Sequence, residues 1–395
     1  MRLAASIGAA LAVLAALPAS AQELRIGFLN TTSGSGAIIG RHLERGWQLG
    51  LEHQGWMKDG DKLGGVPTRI YTGDDQAKPD VGVREIDKML LSERVHIVAG
   101  FLWSHVLIAG MKPLLDNKKI VISTVPGPSN LAGKECSPYF MSVLHQNDSA
   151  PEATGELINR NGFKTVFAMA PNYQAGRDMI AGLQRTYKGK IVDQLLFKLG
   201  ETDFQAEISK VKALKPDAVF IFAPGPMGIG FIKQWVASGA ARDIKVYNVF
   251  TVDWLTLPAI GNDAMGTFHV DYWSAGDPSE TNQRFVKEYV ARFNHHPSIF
   301  SVGAYDAARL IGTGVKAVNG KVEDTLALAK AMRRTPFPSV RPSFKFNVNG
   351  FPIQDHYTQE IVTGPDGKVT MKTLGVVVKE HKDAYWEQCP EAQRL

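Results

Sequence analysis

The chain alternates between short, uninterrupted apolar runs and longer segments in which apolar residues recur every three or four positions. Runs of the first kind predict strands buried on both faces. They include LRIGFLN at residues 24–30, TRIYTGDD at 68–75, IVA at 97–99 and KIVIST at 119–124. The segments between them predict helices, for example 38–53, where Leu43, Trp47 and Leu51 share one face. Repeated strand–helix units predict a parallel sheet with right-handed crossovers.

A second unit of the same plan follows His145, without a fixed-period sequence repeat. Its predicted strands are TVFAMAP at 165–171, GKIVDQLLF at 189–197, AVFIFAP at 218–224 and IKVYNVF at 244–250. A third segment predicts helices first and strands last. The helices are 279–293, 301–318 and 323–333, and the two strand stretches lie around 343–349 and 357–378.

No low-complexity linker separates these units, and three short extended segments join them, near residues 140–145, 270–273 and 344–349. Three crossings between two lobes would form a hinge. The predicted fold class is α/β: two Rossmann-like lobes with parallel central sheets, joined by a three-crossing hinge. We assign residues 22–143 and 274–346 to the N-terminal lobe, and residues 144–273 and 347–395 to the C-terminal lobe.

The strand ends at Gly100 and Thr124 are the predicted binding region. In open parallel sheets, ligands bind outside the carboxyl ends of the strands. Gly100 permits a sharp turn, and Ser104 follows at a predicted N-cap position. Ser104 and the loop at 125–130 would offer hydroxyl and backbone N–H groups to a small anion. The alternative for Ser104 is an N-cap with no further role.

The first 21 residues have the pattern of a cleavable secretory signal. Arg2 precedes the apolar segment 3–17, Pro18 breaks it, and Ala19-Ser20-Ala21 is an A-x-A cleavage site. The apolar run is too short for a membrane anchor. We therefore expect an exported, soluble protein that begins at Gln22, most simply in a bacterial periplasm.

Cys136 and Cys389 are the two cysteines of the chain. In an oxidising compartment they favour one disulfide, with two separate buried thiols as the alternative. Their separation has no zinc spacing, and no metal site is predicted.

Composition and motifs exclude several classes of function. The net charge of +5 is spread along the chain without a basic run, so a nucleic-acid partner is not expected. TTSGSGAIIG at residues 31–40 contains G-x-G, but the third glycine of a dinucleotide fingerprint is Ile39 here. We interpret it as a cleft-lining loop and predict no cofactor. The hydrolase and nucleotide motifs G-x-S-x-G, H-E-x-x-H and the Walker loop do not occur, and no catalytic residue is assigned.

Several stretches in order resemble a known family. They are LRIGFLNTTSGSGAIIGRHLERG, GDDQAKPDVGVREIDKML, VHIVAGFLWS, IVISTVPGPSNL, PNYQAGRD and FSVGAYDAARLI. Together with the predicted signal, the chain resembles the type I periplasmic solute-binding proteins of ABC uptake systems, specifically the branched-chain amino acid (Leu/Ile/Val-binding) group. The resemblance implies a monomeric, non-enzymatic receptor whose lobes close on a ligand, and whose partners are permease subunits in the inner membrane.

The resemblance also implies site residues. Ser104 would hold the ligand carboxylate together with the loop at Val125 and Gly127, although Gly127 lacks the hydroxyl that the family often has there. Tyr173 would cover the ligand from the second lobe, and Phe300 falls where the family has an aromatic wall residue.

The largest departure concerns the ligand's amine. Amino-acid-binding members have a Glu just after the strand that reads VYNVF here, where this chain has Phe250 or Thr251. The nearest acid is Asp253, and burying an unpaired ammonium is costly. With Trp103, Phe250 and Trp254 as further candidate wall residues, the chain resembles the aromatic-acid-binding branch. We therefore place an aromatic or other hydrophobic acid slightly ahead of a branched-chain amino acid.

Two other functions stay open at this point. A periplasmic sensor for a signalling system would use the same clamp, so the sequence does not separate transport from sensing. A secreted α/β enzyme is the less favoured alternative.

Overall fold

The computed structural model describes residues 22–395, so the predicted signal lies outside the described residues. The chain forms two α/β lobes, each built around its own sheet. None of the helices in residues 22–395 combines the length and the hydropathy of a membrane-spanning segment.

The sheet of lobe 1 has six strands in the order β2-β3-β1-β4-β5-β6. All neighbouring pairs are parallel except β2 with β3. The strands are β1 Leu24–Asn30, β2 Lys62–Leu63, β3 Val66–Asp74, β4 Ile97–Gly100, β5 Ile120–Ser123 and β6 Phe140–Ser142. The short hairpin strand β2 was not predicted.

Helices cover both faces of this sheet, and three of them come from the later part of the chain. Among these, α11 packs along α1. The helices are α1 Ala37–Glu52, α2 Pro79–Leu91, α3 Ser104–Asp116, α4 Ser129–Ala132, α10 Glu280–Phe293, α11 Ile299–Ala317 and α12 Thr325–Arg334.

Lobe 2 has an eight-stranded sheet in the order β12-β13-β11-β10-β9-β7-β8, with β14 paired to β13. The strands from β7 to β11 are parallel, and the C-terminal strands join them antiparallel. The strands are β7 Thr165–Pro171, β8 Lys190–Phe197, β9 Ala218–Phe222, β10 Lys245–Val249, β11 Phe268–Asp271, β12 Lys345–Phe346, β13 Pro352–Thr363 and β14 Val369–His381.

The helices of lobe 2 alternate with its parallel strands. They are α5 Ser149–Arg160, α6 Gln174–Thr186, α7 Gln205–Leu214, α8 Pro226–Ala237 and α9 Leu257–Ile260.

The C-terminal strands correct one prediction. The stretch 357–378, predicted as a single strand region, is a hairpin of β13 and β14 that turns at Gly364–Lys368. Gly367, with φ of 77°, supplies the left-handed residue that the tight turn requires. The missed signal is GPDG, which is a turn sequence inside an apolar run.

The chain crosses between the sheets three times, after β6, after β11 and before β12. The predicted fold class of two α/β lobes is confirmed by this architecture. The lobe bounds themselves stay a prediction, and Lys345–Phe346, which we assigned to lobe 1, pairs with β13 of the second sheet.

A disulfide joins Cys136 of lobe 1 to Cys389 in the C-terminal tail, with a Cα–Cα distance of 5.6 Å. The tail therefore returns from the end of β14 to lobe 1 and links the two lobes covalently a fourth time.

Candidate functional site

The carboxyl ends of the strands of both sheets face one cleft between the lobes. About 360 Å³ there, mouth included, is free of protein atoms. Lobe 1 contributes Ile39, Leu102, Trp103, Ser104, Val125, Pro126 and Phe300. The first crossing contributes His145 and Asn147, and lobe 2 contributes Tyr173, Ala175, Met179, Phe222, Pro224 and Phe250.

Ser104 reaches the cleft because the chain turns sharply after β4. Gly100 has φ of 109°, and a Cβ there would lie 2.2 Å from the carbonyl oxygen of Leu29. Phe101, with φ of 68°, continues the turn in the left-handed region. One prediction is corrected here: Trp103 occupies the N-cap of α3, and Ser104 is the first residue of the helix. Its backbone N–H therefore belongs to the unpaired first turn.

Trp103 is held by the glycine-containing loop after β1. Its Nε1 donates a hydrogen bond to Thr31 Oγ1 at 3.0 Å, and the Thr31 hydroxyl donates to Asp75. A Cβ at Gly36 would crowd both Thr31 and Trp103. The loop lets α1 approach the strand end closely and fixes the indole ring.

The loop after β5 corrects a second prediction. Val125 lines the cleft, but Gly127 does not. The backbone N–H of Gly127 donates to Asn147 Oδ1 at 2.9 Å, and its carbonyl accepts from the N–H of Asn147 at 2.7 Å. The amide that we predicted for the ligand carboxylate is therefore occupied by the first crossing.

Lobe 2 supplies most of the aromatic wall. Tyr173 is the N-cap of α6, and its ring lies 6.0 Å from that of Trp103 across the cleft and 6.3 Å from that of Phe222. Burial and the nearby Asp178 carboxylate raise the pKa of Tyr173, so the phenol keeps its proton at neutral pH.

Phe250 is aimed into the cleft by a strained turn after β10. Its φ of 56° is unusual for a bulky residue. Thr251 anchors the turn, because its hydroxyl contacts the carbonyl of Ile221 and accepts from the N–H of Ala223. The Phe250 ring lies 5.6 Å from that of Phe300. Backbone strain of this kind is commonly kept where a side chain has a functional position.

Asp253 corrects a third prediction, because it lies outside the cleft lining. Its Oδ1 accepts from the backbone N–H groups of Leu255 and Thr256, at 2.9 and 3.0 Å. Complete burial raises the pKa of Asp253 to about 6. This carboxylate organises the turn before α9. Trp254 also lies apart from the cleft lining and stacks on His296.

Two polar residues of the first crossing were missed by the sequence analysis. His145 Nδ1 lies 2.9 Å from the hydroxyl oxygen of Tyr272, which belongs to the second crossing. Burial lowers the pKa of His145 to about 3, so its imidazole is neutral at pH 7. Asn147 contacts Ser104 and Asp178. The available signal was the polar run HQND directly after an apolar strand.

The cleft carries no formal charge of its own. Among residues 22–395, no Asp, Glu, Lys or Arg side chain lines it. The positive ends of α3 and α6 face it, through Ser104 and through Tyr173 and Ala175. In the same part of the chain, no cluster of three or more His, Cys, Asp or Glu side chains is suited to a metal ion. The arrangement suits a small anion with an apolar body.

Comparison with known proteins identifies the family. The model of the periplasmic binding protein family matches residues 23–368. The chain belongs to the periplasmic binding protein family. This membership confirms the resemblance drawn from the sequence.

Relatives of this periplasmic binding protein cover nearly its whole length. The Leu/Ile/Val-binding protein homolog 6 of Brucella melitensis is 24% identical over 379 residues, which cover 93% of this chain and 95% of the relative. A solute-binding protein of an ABC transporter from R. palustris, solved in complex with benzoate, is 28% identical with a TM-score of 0.85. The alignment covers 92% of this chain and 98% of that one.

A third relative shares the fold at lower identity. The branched-chain amino acid transporter substrate-binding protein of Streptococcus pneumoniae, in complex with isoleucine, is 19% identical with a TM-score of 0.77. The alignment covers 89% of this chain and 99% of that one.

Proposed function

We propose that this chain is the solute-binding component of an ABC importer, and that its ligand is a small aromatic monocarboxylate held between the lobes. The observation that carries the proposal is the neutral, aromatic cleft. No acidic side chain lines it among residues 22–395. An amino acid would bury its ammonium group without a charged partner, which is costly. An aromatic acid has no such group.

The rings of Trp103, Tyr173, Phe222 and Phe250 would pack against the body of the ligand, since aromatic pairs at these separations are favourable beyond the area they bury. The relative that is 28% identical binds benzoate.

The ligand carboxylate would lie at the start of α3. The unpaired N–H groups of a first helical turn and the positive end of the helix dipole favour an anion there. The Ser104 hydroxyl adds a donor beside them. No buried cation is required, because several neutral donors together can hold a carboxylate.

A branched-chain amino acid is the second candidate. Ile39, Leu102, Val125 and Met179 give the cleft an aliphatic part, and the relative from Brucella is a homologue of Leu/Ile/Val-binding proteins. This candidate requires an ammonium partner that the described cleft does not supply.

The remaining parts of the proposal follow from the family. The chain would be exported with cleavage before Gln22, act as a monomer, deliver its ligand to permease subunits in the inner membrane and leave the ligand chemically unchanged. A sensory role would use the same closure, which the ligand favours only through its extra contacts in the closed state.

A thermal-shift screen of the mature protein tests the proposal. The panel holds benzoate- and cinnamate-type acids, branched-chain amino acids and aromatic amino acids. A ligand at about 100 times its dissociation constant adds about 2.7 kcal/mol to the free energy of unfolding, which raises the melting temperature visibly. We expect shifts with the amine-free acids. Shifts with leucine or valine instead would contradict the ligand class, and recovery of a chemically altered ligand would contradict the binding-only role.

A further inference from the structure

A buried carboxylate of lobe 2 gathers hydrogen bonds from both lobes and from the crossing between them. Asp178 lies on α6 and is only 4% exposed. Its Oδ1 accepts from Ser129 Oγ and from Gln174 Nε2, both at 2.8 Å. Its Oδ2 accepts from Asn147 Nδ2 at 2.8 Å and from the backbone N–H of Ser129 at 3.2 Å. Ser129 belongs to lobe 1, so these two bonds join the two lobes.

Asn147 is fixed by its partners in a single amide orientation. Its Oδ1 accepts from the N–H of Gly127 at 2.9 Å, which requires oxygen at that position. Its Nδ2 donates to Asp178 and also to Ser104 Oγ, at 2.8 and 3.3 Å. In the flipped orientation, the amide nitrogen would face the N–H of Gly127 and the amide oxygen would face the carboxylate of Asp178, and neither pair can form a hydrogen bond.

The hydrogen bond from Asn147 determines whether the Ser104 hydroxyl acts as a donor or as an acceptor toward a ligand. A hydroxyl group has one hydrogen and two acceptor positions. One acceptor position of Ser104 Oγ is taken by Asn147 Nδ2, and no protein acceptor within residues 22–395 takes its hydrogen. Because Ser104 lines the cleft, that hydrogen is left to donate to a ligand.

We propose that Asp178 is a positioning residue for carboxylate binding: it holds the Asn147 amide so that the Ser104 hydroxyl is a donor toward the ligand. The inference rests on the proposed function. Opening of the lobes would separate Asp178 from Ser129 and remove two of its four hydrogen bonds. Closure and the orientation of the anion-binding hydroxyl are thereby coupled through one side chain that does not touch the ligand.

Other ionisable groups lie near the hydrogen-bond network of Asp178. The Asp178 carboxylate lies close enough to Asp148 to raise the pKa of Asp148, and Arg185 pairs with Asp148 at 3.0 Å. Tyr173 faces Asp178 as a protonated phenol. Four donors point at Asp178, and both of its carboxylate oxygens accept hydrogen bonds. An Asn at this position could accept only on Oδ1, because its Nδ2 is a donor.

A double-mutant cycle tests the inference. Affinity for benzoate is measured by calorimetry for the wild type, Asp178→Asn, Ser104→Ala and the double variant. We expect Asp178→Asn to weaken binding about tenfold in the wild type and less than about twofold in the Ser104→Ala background, since both changes remove the same donated bond. Asp193→Asn is the matched control, because Asp193 pairs with Lys210 on the surface of lobe 2. It should bind like the wild type.

The outcomes separate the inference from the proposed function. If the wild type binds no carboxylate of the panel, the proposed function fails and the inference with it. If Ser104→Ala weakens binding but Asp178→Asn has no effect, or has the same effect in both backgrounds, only the inference is overturned.

A second measurement does not depend on the folding of a variant. In a crystal structure of the wild type with benzoate bound, we expect Ser104 Oγ at hydrogen-bond distance both from a carboxylate oxygen and from Asn147 Nδ2. A Ser104 hydroxyl turned away from the ligand, or an Asn147 amide that has left Asp178, would overturn the inference.

Discussion

The two sides of the cleft offer a ligand different chemistry. The side formed by the start of α3 and the first crossing offers hydrogen-bonding groups, with the Ser104 hydroxyl and the Asn147 amide within contact of each other. The side formed by lobe 2 offers rings, those of Tyr173, Phe222 and Phe250. The first side suits the carboxylate that many metabolites share, and the second decides which carbon skeleton fits. We therefore expect the rings of lobe 2, together with those of Trp103 and Phe300 from lobe 1, to set the specificity for the carbon skeleton.

A negative charge among the aromatic rings of lobe 2 should have the largest effect on affinity. Phe250→Asp would place a carboxylate in the neutral wall. Two negative charges about 4 Å apart repel by about 4 kcal/mol at an effective dielectric constant of about 20, so affinity for benzoate should fall by at least about 100-fold. Calorimetric titration measures this, with Phe250→Leu as the apolar control. If Phe250→Asp binds benzoate as well as Phe250→Leu does, Phe250 does not face the ligand.

Removing the Ser104 hydroxyl at the start of α3 should have the next largest effect on affinity. Ser104→Ala deletes one hydrogen bond to a charged group, worth about 1.5–3 kcal/mol, so affinity for every carboxylate should fall at least about tenfold. Ser209→Ala, at an exposed position on α7, serves as the control. An unchanged affinity of Ser104→Ala would mean that the carboxylate lies elsewhere in the cleft.

A substitution that acts on the cleft only through the orientation of Trp103 should have a smaller effect on affinity. Thr31→Val removes the acceptor for the Trp103 indole N–H, so the ring loses its fixed tilt against Tyr173. Affinity for benzoate should fall a few-fold, in line with one neutral hydrogen bond of about 1 kcal/mol. Thr202→Val, in an exposed loop of lobe 2, is the matched control. Equal affinities of the two variants would show that the tilt of Trp103 is unimportant.

Asp253→Asn should leave ligand affinity unchanged and alter only stability. Because burial raises the pKa of Asp253 to about 6, its native state binds a proton more tightly than the unfolded chain does. The carboxylate therefore destabilises the fold above that pH and ceases to do so as the pH falls from 6 toward its ordinary value of 3.8.

Urea unfolding of the wild type and of Asp253→Asn checks this sign. The variant should gain stability relative to the wild type by on the order of 2–3 kcal/mol on going from about pH 4 to about pH 7.5. A pH-independent difference would contradict the assigned pKa. Loss of ligand binding by this variant would return Asp253 to the binding site.

The fold and the location of the cleft could be predicted from the sequence because both depend on regular patterns. Apolar runs, helical spacing and glycines at strand ends identify strand–helix units, and the carboxyl ends of parallel strands locate the cleft. These patterns also led to Ser104. The resemblance to the periplasmic solute-binding proteins implied the other cleft residues that the structure brings together with it around one cavity, which are Trp103, Val125, Tyr173, Phe250 and Phe300. Their contact with a ligand stays a prediction.

The errors in the predicted site arose where hydrogen bonds to other parts of the protein determine whether a group faces the cleft. Gly127 follows the right strand, but its N–H is taken by Asn147, which the sequence places 20 residues away. Asp253 lies close to the expected position of an acid, yet its own turn binds its carboxylate oxygen. Phe250 was expected in the cleft, but the left-handed turn that directs its ring there was not predicted. Such choices depend on the packed structure, and periodicity carries no information about them.

The most direct test of the central claim is a calorimetric titration of the mature wild-type protein with ligand pairs that differ only in an amine. The pairs are 3-phenylpropanoate with phenylalanine and 4-methylpentanoate with leucine. A neutral cleft predicts that the acid of each pair binds at least about 100-fold more tightly than its amino acid, because a buried, unpaired ammonium costs several kcal/mol. Tighter binding of the amino acids would show that an acidic group reaches the ligand and would contradict the account.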